Sequence, residues 1–365
     1  MIFNNLLNFI NNTYIFSKKK IYYLYLESNI YNKKITPSII SSLDYRPSPN
    51  LLNSLIKYDK KKINIENYSL NRIWDNKKLK EKDYKSLNSF FWLFGLDLRS
   101  SKTDTQNIIL QWINKNHRYN SKSWEVDIMA KRIIAWTSNS RLTYEDGSND
   151  YKNKFNTIIK KQINHLINEI EGSEWADDKI IGCAAIILTG ISYKDKNHYL
   201  KTGLNLLRKL VKFSFDNDGF PKSRNIRQLC FYLKYFILIR EWLKESQGEI
   251  PDFINENIYY LGQGYAFTWQ NNKKDFLFNG NHEINNINFD HYLKKLGYNF
   301  KNHGNELGGY AILNNKKNSL IMDVGSSPDK KFSSNYQAGA LSFEIISNGK
   351  KLICNSGYFQ NHNHQ

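Results

Sequence analysis

Apolar residues recur at helical spacing through the middle of the chain. From about residue 85 to 262, Ile, Leu, Ala, Phe and Trp fall three or four positions apart, which is typical of helices with one buried face. These stripes lie at 109–113, 130–136, 158–170, 180–188, 204–211 and 229–239. Short links with Gly and Asp separate them, so the pattern predicts antiparallel helix pairs in a layered all-α array. Trp112, Trp124 and Trp136 follow the helical spacing and are expected in the core.

The pattern changes to alternation after Pro251. Runs of period two predict antiparallel strands, at 265–269, 276–278, 310–313, 319–322 and 341–346. The clearest signal lies near the end, where alternating runs at 336–344 and 352–357 flank Asn348-Gly349-Lys350 and predict a β-hairpin. The chain is therefore predicted to be multidomain α and β, with a helical array followed by antiparallel β-structure.

The start of the chain predicts an amphipathic helix. It lacks the basic segment and the unbroken apolar core of a secretory signal, because Asn8, Asn11 and Asn12 interrupt it and Lys18-Lys19-Lys20 follows. No later apolar run is long enough to cross a bilayer, so no integral membrane segment is predicted.

The overall charge is strongly basic. Lys and Arg number 52 against 34 Asp and Glu, which gives a formal net charge of +18. Such a surface favours polyanionic partners: an acidic polysaccharide, a nucleic acid or an anionic membrane face. The abundance of Asn, Lys, Ile, Tyr and Phe also fits A/T-rich codons without selection for a polyanion. Since neither an aromatic–basic signature nor zinc-finger spacing occurs, we expect no nucleic acid among the partners.

The sequence predicts no metal site and no cofactor. Cys183, Cys230 and Cys354 are too far apart to form a recognisable metal or disulfide framework. His362 and His364 alternate at the end of the chain, but two ligands do not make a zinc site. Neither a phosphate-binding glycine loop nor a nucleophile elbow is present.

Several short segments resemble, in order and spacing, the motifs of one known family. They read WLFGLDLR at 92–99, WEVD running into RIIAW at 124–136, DGFPKSRN at 218–225, FNG at 278–280, MDVG at 322–325, LSFE at 341–344 and NSG at 355–357. Together they are similar to the heparinase II/III-like proteins, chiefly a bacterial subgroup, over roughly residues 40–365. That family's fold is an α/α toroid followed by an antiparallel β-sandwich.

The resemblance implies a domain organisation. Residues 1–80 would form a lead-in with short helices, 81–262 the toroid, and 263–365 the start of the β-sandwich. In the family the β part continues further, so we expect an incomplete sandwich and a C-terminally truncated chain. The implied location is the cell envelope or periplasm, although the absence of a clear signal peptide leaves the cytoplasm open. The oligomeric state is not predicted.

The activity implied by the resemblance is that of a polysaccharide lyase. Such an enzyme cleaves an acidic, uronate-containing polysaccharide by β-elimination: it neutralises the carboxylate, abstracts the C5 proton and protonates the leaving oxygen. Characterised members use an Asn near the toroid, a Tyr after the DG loop and a His before the LSF strand. The approximate equivalents here are Asp177-Asp178, Ile226 and Gln337, and a Gln amide does not titrate usefully near neutral pH.

Five residues are candidates for the site, which we expect in the cleft between toroid and β-sandwich. Arg224 and Asn225 lie in a Gly- and Pro-bounded loop, where they would position or neutralise a uronate or serve as structure at a helix N-terminus. Gln337 would hold the carboxylate from the β side. Tyr336 is a candidate base or a packed strand aromatic, and Asp177 a candidate acid–base group or a helix cap.

A second hypothesis follows from the three departures. In this hypothesis the protein has lost the lyase residues and is a non-catalytic relative that binds an acidic envelope glycan or helps to export it. A titratable side chain within hydrogen-bond reach of a pocket shared by Arg224 and Gln337 would favour the enzyme.

Overall fold

The structure is a computed structural model. It describes residues 2–38, 41–55, 74, 79–96, 101–193, 197–270, 274, 276–279, 286–302, 304–333, 336 and 339–357. The chain forms two compact units, which are described separately. The first comprises residues 1–46, 58–173 and 185–200, and the second 47–57, 174–184 and 201–365.

Helices occupy most of the chain before residue 296. In order they are α1 (Ile2–Glu27), α2 (Asn29–Ile35), α3 (Pro49–Leu55), α4 (Glu81–Ser89), α5 (Lys102–Asn116), α6 (Val126–Ser138), α7 (Ser140–Thr143), α8 (Asn149–Glu169), α9 (Ala176–Ser192), α10 (Asn197–Ser214), α11 (Ile226–Glu245), α12 (Asp252–Tyr265) and α13 (Ile287–Lys295). The predicted helical stripes thus fall on α5, α6, α8, α9, α10 and α11. Among the described residues, no helix is both long and apolar enough to cross a membrane.

The core of the first unit combines aromatic rings with buried cations, of which Arg132 packs against tryptophan. Trp112, Trp124 and Trp136 are almost fully buried, as expected. The guanidinium carbon of Arg132 lies 4.0 Å from the ring centroid of Trp112. Arg132 also donates to the backbone oxygens of Asn88 and Ser123 at 2.8 and 3.0 Å. Burial lowers the pKa of Arg132 to about 9, and these partners offset part of the cost of burying its charge.

The second unit contains an antiparallel sheet of five strands among the described residues. They are β1 (Glu306–Leu307), β2 (Tyr310–Asn314), β3 (Asn318–Asp323), β4 (Phe343–Ser347) and β5 (Lys350–Ile353), and each pairs with the next. The register places Ile321 opposite both Ile312 and Glu344, so these three side chains share the buried face. The predicted helical array followed by antiparallel β-structure is confirmed.

The predicted C-terminal hairpin is also present. β4 and β5 are joined at Asn348 and Gly349, whose φ angles are 47° and 74°. Two successive positive φ values are what a tight hairpin turn with the right-handed strand twist requires. The first strand is shorter than predicted, because Leu341 has φ 63° and β4 begins at Phe343. Tyr336 therefore precedes the strand, and its expected place on that strand was wrong.

One predicted strand is helical. Residues 265–269 complete α12 and continue into a π-helical turn at Ala266–Gln270. Tyr265 and Trp269 donate to the two carboxylate oxygens of Asp290, at 2.9 and 3.1 Å. Side chains four residues apart share a face in a helix, so the helical form brings both donors to one partner. The segment predicted as a strand at 276–278 forms no strand among the described residues.

Candidate active site

The loop before α11 is a tight structure that presents Arg224. Oδ1 of Asp216 accepts hydrogen bonds from the backbone N–H groups of Asp218 and Phe220, at 3.0 and 2.8 Å. Phe215 and Pro221 form an isolated antiparallel bridge across this loop. Arg224 itself has φ 56°, and its N–H donates to the Pro221 oxygen at 2.7 Å. A left-handed backbone is costly for a non-glycine residue, so the surrounding bonds hold Arg224 in this orientation.

The Arg224 side chain is fastened to the sheet. Its Nη2 atom lies 2.6 Å from Oδ1 of Asp323 and 2.6 Å from the Gly309 oxygen. Nε donates to the Gly308 oxygen at 3.1 Å, and Nη1 to the Ser326 oxygen at 2.9 Å. Four of the five guanidinium N–H groups are therefore engaged, which leaves one on Nη1. Arg224 thus holds the ends of β1, β2 and β3 to the loop before α11.

Asp323, Asn279 and Tyr310 complete a buried polar network around Arg224. The second carboxylate oxygen of Asp323 accepts from Nδ2 of Asn279 at 3.1 Å. The same nitrogen donates to the Tyr310 hydroxyl at 2.6 Å, and that hydroxyl donates to the Arg224 oxygen at 2.6 Å. Burial raises the pKa of Tyr310 above its ordinary value, so this phenol stays protonated and donates. We call these four residues the Arg224 network.

One atom of this network, and one atom of Tyr336, are buried without a partner. The Oδ1 atom of Asn279 and the hydroxyl of Tyr336 make no hydrogen bond within the part of the chain that the structure describes. A Cβ added at Gly339 would lie 3.0 Å from Oγ of Ser342 and 3.9 Å from Oδ1 of Asn279, so the chain passes close to this oxygen. A buried acceptor and a buried hydroxyl without partners are available to bind polar groups of a ligand.

Asn225 and Asp177 meet through a residue that sequence analysis missed. Oδ1 of Asn225 accepts the backbone N–H of Gln228 at 3.1 Å and caps α11. The Gln228 amide donates to Oδ1 of Asp177 at 2.7 Å, and Ser223 donates to Gln228 at 2.6 Å. Asp177 lies in the first turn of α9, and its Oδ2 is 3.5 Å from Arg227. A capping residue followed three positions later by Gln is a known helix-start pattern and could have identified Gln228.

The structure therefore groups the candidates in two sets. Arg224 belongs to the network on the sheet, and the hydroxyl of Tyr336 is buried without a partner. Asn225 and Asp177 belong to the cluster at the start of α11. Gln337, like His362 and His364, lies outside the described residues. The catalytic roles of all five candidates remain predictions.

Asn279, Tyr310 and Asp323 were missed as site residues. Asn279 and Asp323 do lie in the FNG and MDVG segments, which were quoted only for their resemblance. The sequence alone does not show that these residues are buried. In the structure a hydrogen bond from Asn279 to Asp323 joins the two motifs.

Glu344 is a second buried carboxylate in the same sheet. Its Oε1 atom accepts from the backbone N–H groups of Leu277 and Asn355, at 3.0 and 3.1 Å. Its Oε2 atom lies 3.5 Å from Nζ of Lys351. Glu344 thus fastens two segments outside the sheet to β4. Over the described residues, no group of three His, Cys, Asp or Glu side chains is arranged to hold a metal ion.

The fold and the Arg224 network together define a class: a helical array followed by an antiparallel sheet, with a buried arginine joining the loop between α10 and α11 to the strands. Residues 303–365 match the family described as heparinase II/III-like, C-terminal. The resemblance seen in the sequence motifs is thereby confirmed for residues 303–365. Three of the four network residues lie in the motifs that carry the resemblance. Arg224 and Asn279 precede the matched residues, and Asp323 lies among them.

Solved structures of heparinases share the fold. Heparinase III superposes with a TM-score of 0.61 at 15% identity, over 89% of this chain and 61% of that one. The heparan sulfate lyase HepC from Pedobacter heparinus gives 0.57 at 12%, over 80% and 52%. The BT4657 gene product, a heparinase III, gives 0.62 at 14%, over 90% and 60%.

The chain therefore spans between half and two thirds of the length of these structures. At this level of identity the likeness establishes the fold. No curated protein matches the sequence.

Proposed function

We propose that this protein is a lyase that cleaves a uronate-containing polysaccharide by β-elimination at the Arg224 network. One observation carries the proposal: in a chain whose residues 303–365 match the heparinase II/III-like C-terminal family, the hydroxyl of Tyr336 and the Oδ1 atom of the network residue Asn279 are both buried without a partner. A polar atom buried without a partner is costly unless a ligand satisfies it. The proposal includes a location in the cell envelope or periplasm, where acidic polysaccharide is encountered.

The reaction needs one proton removed and one proton delivered. The C5–H bond of the uronate breaks, its electron pair forms the C4–C5 double bond, and the C4–O bond breaks with protonation of the leaving oxygen. A phenol can both accept and donate a proton, so Tyr336 is our candidate for one or both transfers. Oδ1 of Asn279 is an acceptor and would bind a sugar hydroxyl, since it cannot bind a carboxylate.

The uronate carboxylate of the substrate would be neutralised by the two residues that the sequence analysis named for this role, Arg224 and Gln337. The remaining Nη1 hydrogen of Arg224 supplies one charged donor, and the amide of Gln337 supplies a neutral one. Because the other four hydrogens of Arg224 are engaged, its main contribution is to fix the loop and the strand ends that carry the site. Asn225 and Asp177 would act indirectly, because their hydrogen bonds to Gln228 stabilise the start of α11.

A lyase assay with two matched tyrosine variants tests the proposal. The protein is incubated with polygalacturonate, alginate and heparan sulfate, and product formation is followed by the absorbance of the new double bond conjugated to the carboxyl group. Tyr336→Phe removes only the hydroxyl and should lower kcat by roughly a hundredfold or more. Tyr259→Phe changes an exposed tyrosine and should leave kcat unchanged.

Two results would contradict the proposal. Equal activity of Tyr336→Phe and the unaltered protein would remove Tyr336 from the reaction. Binding of these polymers by a folded protein that forms no unsaturated product would instead support the non-catalytic relative.

A further inference from the structure

Helix α1 carries an uncovered apolar surface on the described part of the molecule. Phe16, Ile21 and Leu24 are 69%, 67% and 61% exposed, and Tyr14 and Tyr23 are also exposed. Single exposed apolar residues are common, but a run of them within eleven positions of one helix marks a surface that contacts something apolar.

Four of the exposed residues of α1 share one face. Phe16, Lys20, Tyr23 and Leu24 follow the i, i+4, i+7, i+8 spacing that places side chains on one side of a helix. We call this the outer face of α1.

The opposite side of α1 holds the helix to the first unit. Leu26 is buried, the Tyr22 hydroxyl donates to Glu169, and the Tyr25 ring lies 5.2 Å from that of Tyr31. The helix is thus attached through the end nearest α2, which leaves its outer face directed away from those contacts.

The charge of α1 is entirely positive up to its last residue. Lys18, Lys19 and Lys20 are exposed, and the first acidic residue is Glu27. Lysine stems can lie along apolar material while the ammonium groups reach anionic headgroups, and tyrosine has an apolar body with a polar tip. This combination of aromatic, aliphatic and basic side chains is typical of helices that lie in the interface of an anionic bilayer.

A second copy of the chain fits this surface less well. A symmetric pair would bring the same three lysines to the contact from both sides, and α1 offers no acidic residue before Glu27 to pair with them. An anionic lipid surface is complementary to the charge and to the apolar side chains at once.

We propose that α1 is an interfacial membrane-binding helix, which holds this protein to anionic lipid through its outer face and Lys18–Lys20. The helix lies along the surface, with Phe16, Tyr23 and Leu24 inserted at the level of the headgroups. This binding is independent of the proposed lyase reaction, whose residues are in the second unit.

Vesicle sedimentation of the full chain tests the proposal. We expect the protein to pellet with vesicles of phosphatidylcholine mixed with phosphatidylglycerol, and much less with phosphatidylcholine alone. K18Q/K19Q/K20Q should weaken binding to the mixed vesicles by about tenfold or more at low salt. F16S/Y23S/L24S should reduce it comparably while keeping every charge.

A charge-matched variant provides the control. K316Q/K317Q/K350Q removes two exposed lysines from the turn between β2 and β3 and one from the start of β5, and it lowers the net charge equally, so its vesicle binding should stay close to that of the unaltered protein. Sedimentation velocity without lipid measures self-association of the same variants.

Three results would overturn the proposal. The first is no pelleting of the unaltered protein with the mixed vesicles. The second is an equal loss in the control variant, which would show attraction by net charge alone. The third is a concentration-dependent dimer that F16S/Y23S/L24S abolishes, which would assign the outer face of α1 to a second copy of the chain.

Discussion

The Nη2 atom of Arg224 lies 2.6 Å from Oδ1 of Asp323, and both side chains are almost completely buried. A buried pair is weak evidence of net stabilisation, but removing one partner leaves an uncompensated charge. We therefore expect Arg224→Met and Asp323→Asn each to lower the free energy of unfolding by about 3 kcal/mol or more. Urea unfolding measures this loss.

An exposed ion pair provides the control for that experiment. Lys154 and Asp150 are 2.7 Å apart on the surface of α8, and Lys154→Met should change stability by less than about 1 kcal/mol. If Arg224→Met and Lys154→Met had equal effects, the Arg224–Asp323 pair would not hold the sheet as described.

The cap of α11 gives a second prediction. Asn225→Ala removes the acceptor for the Gln228 N–H and should destabilise the protein by about 1 kcal/mol. Asn225→Asp keeps an acceptor and adds a negative charge at the positive end of the helix, so it should restore most of the loss. Thermal unfolding compares the two variants, and equal destabilisation by both would show that the cap is not the reason.

His165 predicts how stability depends on pH. It is enclosed by the rings of Tyr119 and Trp124, with Nδ1 2.7 Å from the Tyr31 hydroxyl. Burial lowers the pKa of His165 from 6.5 to about 4. Between these values the unfolded chain binds a proton that the folded protein does not, so stability should fall as the pH is lowered from 6.5 towards 4 and then level off.

A variant without the titrating group tests this dependence. His165→Gln should flatten that part of the stability profile, where the histidine contributes about 3 kcal/mol in total. His117→Gln, at an exposed position, should leave the profile unchanged. The same slope in all three proteins would exclude His165 as its source.

A glycine pair tests the packing of α9 on α10. A Cβ at Gly190 would lie 2.3 Å from the backbone nitrogen of Leu200 and 2.7 Å from its Cα, so Gly190→Ala requires the helices to separate. We expect a loss of about 2 kcal/mol. Gly172→Ala is the matched control, because nothing lies within 4 Å of its added Cβ. Similar midpoints of thermal unfolding in both variants would contradict the close approach.

The elements that could be predicted are those set by local chemistry. The helical stripes predict the buried faces of α5, α6 and α8 to α11, and Asn348-Gly349 predicts the C-terminal turn because both positions need positive φ. The strand predicted at 265–269 was wrong for a reason that lies elsewhere in the chain. Its alternating aromatics fit a strand or a helix. The helix is favoured because it lets Asp290 accept hydrogen bonds from Tyr265 and Trp269 on one face.

The candidate site shows the same limit. The loop with Arg224 and Asn225 could be identified from its motif, and the cap at Asn225 follows from the helix that begins after it. The hydrogen-bond partners of Arg224 could not be predicted, because they are distant in sequence: Asp323 and the backbone oxygens of Gly308, Gly309 and Ser326. Local pattern identifies a charged residue, whereas its partners depend on the folded chain.

The separation of those partners has a consequence for folding. Arg224 joins residues that are 84 to 102 positions away along the chain, and closing such long loops costs entropy before any contact repays it. We expect the helices to form first and the Arg224 network to assemble late, after α11 and β1–β3 are in place. Until then the strand edges stay open to pairing with other chains, so refolding yield should depend on protein concentration.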